Sequence, residues 1–205
     1  MAISLREATL DDVERICDVF LGAFSDEPVS RRTLPRESGT GRTFWKQGLL
    51  KAIHDLKTHV LVVTDDADSS HVIAFAKWKS PGSEIDAPPP AHLWPQDGDP
   101  ELAVSFFGRF AEKHREVMGD RRHWFLELVA TDRKAGGKGA ASKLLQWGLD
   151  KADEDGLPAY LEATQAGEPI YERKFGFRAV QREKIDVGTC VIDVPFMVRE
   201  PRAVV

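Results

Sequence analysis

Two hydrophobic periods alternate along the chain. Val13, Ile16, Cys17 and Phe20 recur at helical spacing, and Thr9-Leu10-Asp11-Asp12 ahead of them is a capping pattern. A strand at 3–8, carrying Ile3 and Leu5, and a helix from about 11 to 24 are therefore predicted. Residues 25–40, with Pro28, Pro35 and Gly39, read as a polar, broken connection. Phe44, Leu49, Leu50 and Ile53 predict a helix over about 40–56. His59 to Thr64 is dense in β-branched residues, Asp65 to Ser70 is a turn cluster, and His71 to Lys79 resumes the strand pattern; together they predict an antiparallel hairpin.

Pro81, Pro88, Pro89, Pro90, Pro95 and Pro100 make residues 80–100 a loop, long enough to serve as a lid or specificity segment. A helix over about 99–118 follows, with Val104, Phe107, Phe110 and Ala111 on one side. Trp124 to Ala130 predicts a central strand, and Ala141, Leu144, Leu145, Gly148 and Ala152 a strongly periodic helix over 139–155. A strand at 159–163, a short helix at 168–175 and a strand pair at 178–187 and 190–198, joined near Gly188, complete the pattern. The fold class is mixed α/β: a sheet of six or seven strands flanked by helices, with a strand–glycine loop–helix unit at its centre.

The length of 205 residues fits a single domain spanning 1–205. A net charge of −5 lacks the footprint for gripping phosphate backbones, so no nucleic-acid partner is expected. The run Lys113-His114-Arg115 with Arg121-Arg122-His123 is interleaved with Glu112, Glu116 and Asp120 and reads as a solvated helix end. No apolar run approaches a membrane span of roughly 18 residues, and Met1 to Asp12 has no apolar signal core. Cys17 lies on an apolar stripe far in sequence from Cys190, which fits a reduced, cytoplasmic protein, monomeric or homodimeric. No His-x-x-x-His or Cys-x-x-Cys spacing points to a metal, and no Gly-x-Ser-x-Gly elbow to a serine hydrolase.

Chemistry concentrates between Leu126 and Leu145. The run Thr131-Asp132-Arg133-Lys134-Ala135-Gly136-Gly137-Lys138-Gly139-Ala140-Ala141-Ser142 leads from a strand through a glycine-rich turn into a helix. Glycines let several backbone N–H groups converge, and the helix dipole makes that point an anion site. Arg133, Lys134, Lys138 and Lys143 surround it, so a diphosphate is the natural ligand class. A Walker loop is absent, because Ala140 and Ala141 follow Gly139, and a dinucleotide loop starting at Gly137 fails at Ser142.

Gly136-Gly137-Lys138-Gly139-Ala140-Ala141 matches the last four positions of the Q/R-x-x-G-x-G/A loop, and Tyr171 to Phe177 matches Tyr-x-x-x-x-Gly-Phe. With Leu126 to Ala130 as a fourth strand and Ile3 to Asp12 as the opening, the chain resembles the GNAT superfamily of acyl-CoA-dependent N-acetyltransferases. Leu161 to Ala163 and Tyr171 to Phe177 are similar to fungal-type members. Gly136 stands where the family usually has Gln or Arg, Thr131 replaces the common Val, and Arg133 the common Pro.

The resemblance implies acetyl-CoA as co-substrate. The backbone of Val129, Ala130 and Thr131 then pairs with the pantetheine arm, and Gly136, Gly137, Lys138, Gly139, Ala140, Ala141 and Ser142 hold the pyrophosphate. Thr164 stands at a position that often contacts the cofactor. An alkylamine with a pKa of about 10.4 is neutral only about once in 2,500 at pH 7, so a base is needed. Glu127, a carboxylate inside an apolar strand, is the candidate; alternation groups it with Phe125 and Val129. Tyr171 is the candidate acid or hydrogen-bond donor for the departing thiolate, and Glu162 the candidate contact for the amine. The implied acceptor is a small-molecule primary amine, attacked directly in a ternary complex. A protein or peptide acceptor, or a non-catalytic acyl-CoA-binding module, is the alternative.

Overall fold

The computed structural model describes residues 2–65 and 68–203. Among these residues seven strands form one sheet: β1 (Ile3–Glu7), β2 (Thr58–Asp65), β3 (Asp68–Lys79), β4 (Trp124–Thr131), β5 (Ala159–Glu162), β6 (Arg178–Asp186) and β7 (Val191–Arg199). Their order is β1-β2-β3-β4-β5-β7-β6, antiparallel throughout except for the parallel pair β4–β5 at the centre. The strand after the predicted turn cluster starts at Asp68 rather than His71, while Asp66 and Ala67 of that cluster lie outside the described residues.

Among the described residues, six helices accompany the sheet: α1 (Val13–Ala23), α2 (Pro28–Thr33), α3 (Thr40–His54), α4 (Pro100–Met118), α5 (Ala140–Asp155) and the single turn α6 (Glu168–Ile170). The chain enters α1 where the capping pattern predicts, with Asp12 Oδ2 accepting the Thr9 N–H at 2.7 Å and Arg6 gripping Asp12 at 2.7 and 2.8 Å. α2 was hidden in the segment expected to be a broken connection. Pro28 occupies its first turn, where a missing N–H does no harm, and the Glu27 carboxylate accepts the Ser30 N–H at 2.7 Å.

One face of the sheet packs against α5. Trp78 is fully buried there, its Nε1–H donating to the Leu144 carbonyl at 3.1 Å. A Cβ on Gly148 would stand 2.2 Å from the Trp78 ring, so only glycine lets the helix approach this closely. The opposite face carries α1 and α3 over β2 and β3, and α2 and α4 over the β5–β7–β6 half.

The buried stripe of α4 differs from the expected one. Ala103, Phe106, Ala111, His114 and Met118 are buried, whereas Phe107 is 37% exposed. His114 therefore belongs to the core rather than to a solvated helix end. The proline-rich loop is fastened to this layer: Trp94 stacks on Phe107 and abuts Phe44, and its Nε1–H donates to the Pro89 carbonyl at 2.9 Å. No described helix is long and apolar enough to cross a membrane.

Candidate active site

β4 and β5 pair only from Trp124↔Ala159 to Leu126↔Leu161. Beyond that point Glu127 to Thr131 keep β3 on one side and have no strand partner on the other among the described residues. The strand edge so opened, at Val129 to Thr131, offers backbone donors and acceptors to an extended ligand.

The two strands splay next to a bulge. Lys77 lies opposite Leu128 and Trp78 opposite Leu126, so Glu127 is the extra residue of β4. The bulge breaks the expected alternation: Val129 packs with the α5-side cluster, while Leu128 and Ala130 join the opposite one. Glu127 stays on the face of Phe125 and parts from Val129.

Past β4 the chain forms the predicted cradle. Asp132, held by an ion pair to Arg15 on α1, accepts the Lys134 N–H at 2.9 Å and folds Arg133–Ala135 into a tight turn. Gly137 and Gly139 then adopt φ of 80° and 79°, in the left-handed region, and α5 begins without a side-chain cap. The first-turn N–H groups at Ala140, Ala141 and Ser142 are thus left for an external acceptor. A Cβ on Gly137 or Gly139 would meet no protein atom within 4 Å, so the space before them is open. Gly136 sits at an ordinary φ of −56°.

The cations are arranged differently from the expected ring of four. Arg133 is engaged by Asp26 at 2.7 Å, Lys138 by Asp65 at 3.2 Å, and Lys143 by the Ile3 carbonyl at 2.5 Å. A fifth cation joins the cradle: Lys174 donates to Ser142 Oγ at 2.6 Å. It comes from the Tyr171–Phe175 turn, a π-type turn of the kind enriched at functional sites. Tyr171, at the start of that turn, packs against the α5-side cluster, and burial pushes its phenol up to about 12. Its hydroxyl is neutral at physiological pH. Thr164 is exposed, and its Oγ1 accepts the Gly167 N–H at 3.1 Å. A Cβ at Gly167 would strike both the Tyr171 ring and Thr164 Oγ1, so this turn seats the tyrosine.

Glu127 and Glu162 meet on the α4 side of the splay. Lys77 Nζ lies 2.5 Å from Glu127 Oε1, and Lys79 Nζ 4.0 Å from Oε2, which is buried without a hydrogen-bond partner. Burial lowers the Lys79 ammonium, but Glu127 and Asp86 outweigh it and hold the group above its usual range. Glu162 ends β5 and is half-buried. Desolvation pushes it up to about 8, and the Glu127 charge adds to that rise.

Tyr160 is wholly buried and stacks on His114 with ring centroids 4.0 Å apart. His123 Nδ1 lies 2.7 Å from the Arg121 carbonyl, which can only accept, so that nitrogen carries the proton. His123 Nε2 is then a lone pair, to which His114 Nε2–H donates at 2.7 Å. Both histidines are held neutral, His114 by burial that brings it down to about 3. A cavity of about 160 Å³ opens beside them, lined by Lys79, Glu84, Arg121 and Phe125 among others. Lys77, Lys79, Tyr160, His114 and Lys174 were not anticipated. Only the alternation Lys77-Trp78-Lys79 on a buried strand could have flagged two of them. No group of three or more metal-ligating side chains occurs among the described residues.

A family model described as Acetyltransferase (GNAT) family matches residues 52–177. An uncharacterized N-acetyltransferase of Schizosaccharomyces pombe is 30% identical over 160 residues, 72% of this chain; the match spans 62% of that relative's length. Among solved structures, histone acetyltransferase HPA2 and related acetyltransferase from Corynebacterium glutamicum is 25% identical, with a TM-score of 0.66 covering 100% of this chain and 99% of that one. A mosquito arylalkylamine N-acetyltransferase like 5b is 17% identical, with a TM-score of 0.68 covering 97% and 100%.

Proposed function

Because the chain belongs to the acetyltransferase (GNAT) family, we propose that it transfers an acetyl group from acetyl-CoA to the primary amine of a small molecule. The observation that carries this reading is the joining of an unpaired β4 edge to an uncapped α5 N-terminus through two left-handed glycines. That arrangement fits a pantetheine arm followed by a diphosphate. Bound acetyl-CoA would supply an activated thioester. The backbone at Val129 to Thr131 orients the arm, and the N–H groups from Gly137 to Ser142, with Lys174 beside them, hold the diphosphate.

Tyr171 keeps its proton across the physiological range and donates a hydrogen bond toward the thiol side. Glu127 and Glu162 stand on the amine side. A small acceptor is favoured over a peptide because Arg32 ties α2 to the Val187 carbonyl at the β6–β7 turn and to Asp99 ahead of α4. This strap, with α4 lying over β7 and β6, narrows the face across which an extended chain would have to lie.

Calorimetric titration with acetyl-CoA, beside acetyl-pantetheine lacking the diphosphate, tests the reading. Micromolar acetyl-CoA binding and at least tenfold weaker acetyl-pantetheine binding are expected. Gly139→Ala should weaken acetyl-CoA tenfold or more, because its Cβ stands before the N–H groups and the positive φ strains an L residue there, with thermal unfolding checking that the variant is folded. Binding without turnover on tryptamine, spermidine or a peptide with a free N-terminus would leave an acyl-CoA-binding module.

A further inference from the structure

We infer that Glu162 is the residue that takes the proton from the attacking amine, while Glu127 is engaged in ion pairs to Lys77 and Lys79. The inference rests on the acetyl-transfer reading above and divides the labour between its two carboxylates.

The two glutamates share one face at the mouth of the splay but have opposite surroundings. Glu127 meets Lys77 at 2.5 Å and Lys79 at 4.0 Å, and Lys79 is itself braced by Asp86. Protonating Glu127 would strand both ammonium groups, one of them largely buried, so it is a poor proton acceptor. No described ion pair reaches Glu162. Its neighbours are the Glu127 carboxylate from β4, Tyr160 from its own strand with neutral His114 of α4 stacked behind, and the Phe196 position of β7. Lys77 and Lys79 of β3 stand beyond Glu127. Glu162 thus stands next to a like charge and without a cation, and both features favour its protonated form.

A group titrating near 8 is ionised in about one molecule in ten at pH 7 and is well matched to accept a proton there. In the net reaction the ammonium loses two protons. One goes to Glu162 and on to solvent. The other leaves on the CoA thiol as the N–C bond forms and the C–S bond breaks, with the bonding pair departing on sulfur.

Two measurements decide the assignment. Carboxyl 13C NMR of glutamate-labelled protein saturated with CoA, with signals assigned through Glu162→Gln and Glu127→Gln, should show Glu162 titrating between pH 7 and 9. With the fastest amine among tryptamine, spermidine and an N-terminal peptide, kcat/KM should rise about tenfold from pH 7 to 9. Glu162→Gln should remove that limb and lower the value at pH 9 at least 100-fold while leaving CoA affinity unchanged. Glu127→Gln should keep the limb and move it to lower pH, since it removes a like charge and frees two cations. Titration of Glu162 near pH 4, or loss of the limb in Glu127→Gln alone, would overturn the inference. If no amine is acetylated, the functional reading fails, and the NMR titration still decides which carboxylate holds the proton.

Discussion

The two faces of the central sheet are built to different rules. On the α5 side, Trp78, Leu126, Leu144, Leu145, Leu149 and Leu161 are at most 3% exposed, and the one polar atom of Trp78 is paired with the Leu144 carbonyl. On the α4 side the same strands bury Tyr160, His114 and part of Glu127, and Tyr160 Oη and Glu127 Oε2 have no hydrogen-bond partner among the described residues. A buried polar atom left unpaired costs about 1–3 kcal/mol, so a protein under selection for stability alone would have replaced them. One face holds the fold together, and the other gives up part of that stability to keep carboxylates and a phenol in poorly solvated surroundings.

Substitutions on the two faces should therefore differ in size and sign. The largest effect is expected from Gly148→Ala, which drives a methyl group into the Trp78 indole. A cost of about 3 kcal/mol, a fall in Tm of about 6–12 °C, should appear in thermal unfolding. A loss under about 1 kcal/mol would mean that helix and indole can slide apart and that this face is less tightly packed than described.

A middle-sized effect belongs to acid. His114 has a folded-state value of about 3, below its unfolded value near 6.5, so the unfolded chain binds the proton first. Stability should be lost as pH falls from about 6.5 toward 3, with His114 alone accounting for about 2 kcal/mol between pH 7 and 5. His123, shifted in the same direction, adds to the loss. Urea unfolding at several pH values should show this slope, and His114→Phe should flatten it. An unchanged slope in that variant would place the acid sensitivity elsewhere.

The smallest effect is the most diagnostic. Tyr160→Phe removes a hydroxyl that lacks a partner, so Tm should hold or rise slightly, against the usual penalty for a core change. A clear drop in Tm would show that the hydroxyl is satisfied after all and that the contrast between the faces is weaker.

The elements themselves were legible because each follows a local rule. The Val13–Phe20 stripe, the β-branched run at 59–64 and the Leu144–Ala152 repeat all appear where their periods place them. The glycine loop was readable for a similar reason, since positive φ at Gly137 and Gly139 is a demand that the residue type advertises. α2 was missed because Pro28 stops one helix and starts another equally well. The buried side of α4 was misassigned because histidine and arginine in one run look solvated until the sheet is known to lie beneath.

The sequence by itself determined the strand–loop–helix cradle, the tyrosine turn and the presence of two glutamates near the sheet centre. These depend on backbone conformation and side-chain period over a few neighbouring residues. Only the tertiary structure decided what each glutamate does. Lys77 and Lys79 reach Glu127 from β3, some fifty residues earlier in sequence, whereas no described ion pair reaches Glu162, which faces the Glu127 charge instead. The proton affinity of a carboxylate is set by the charges and solvent within a few ångströms of it, and sequence separation says little about which groups those will be.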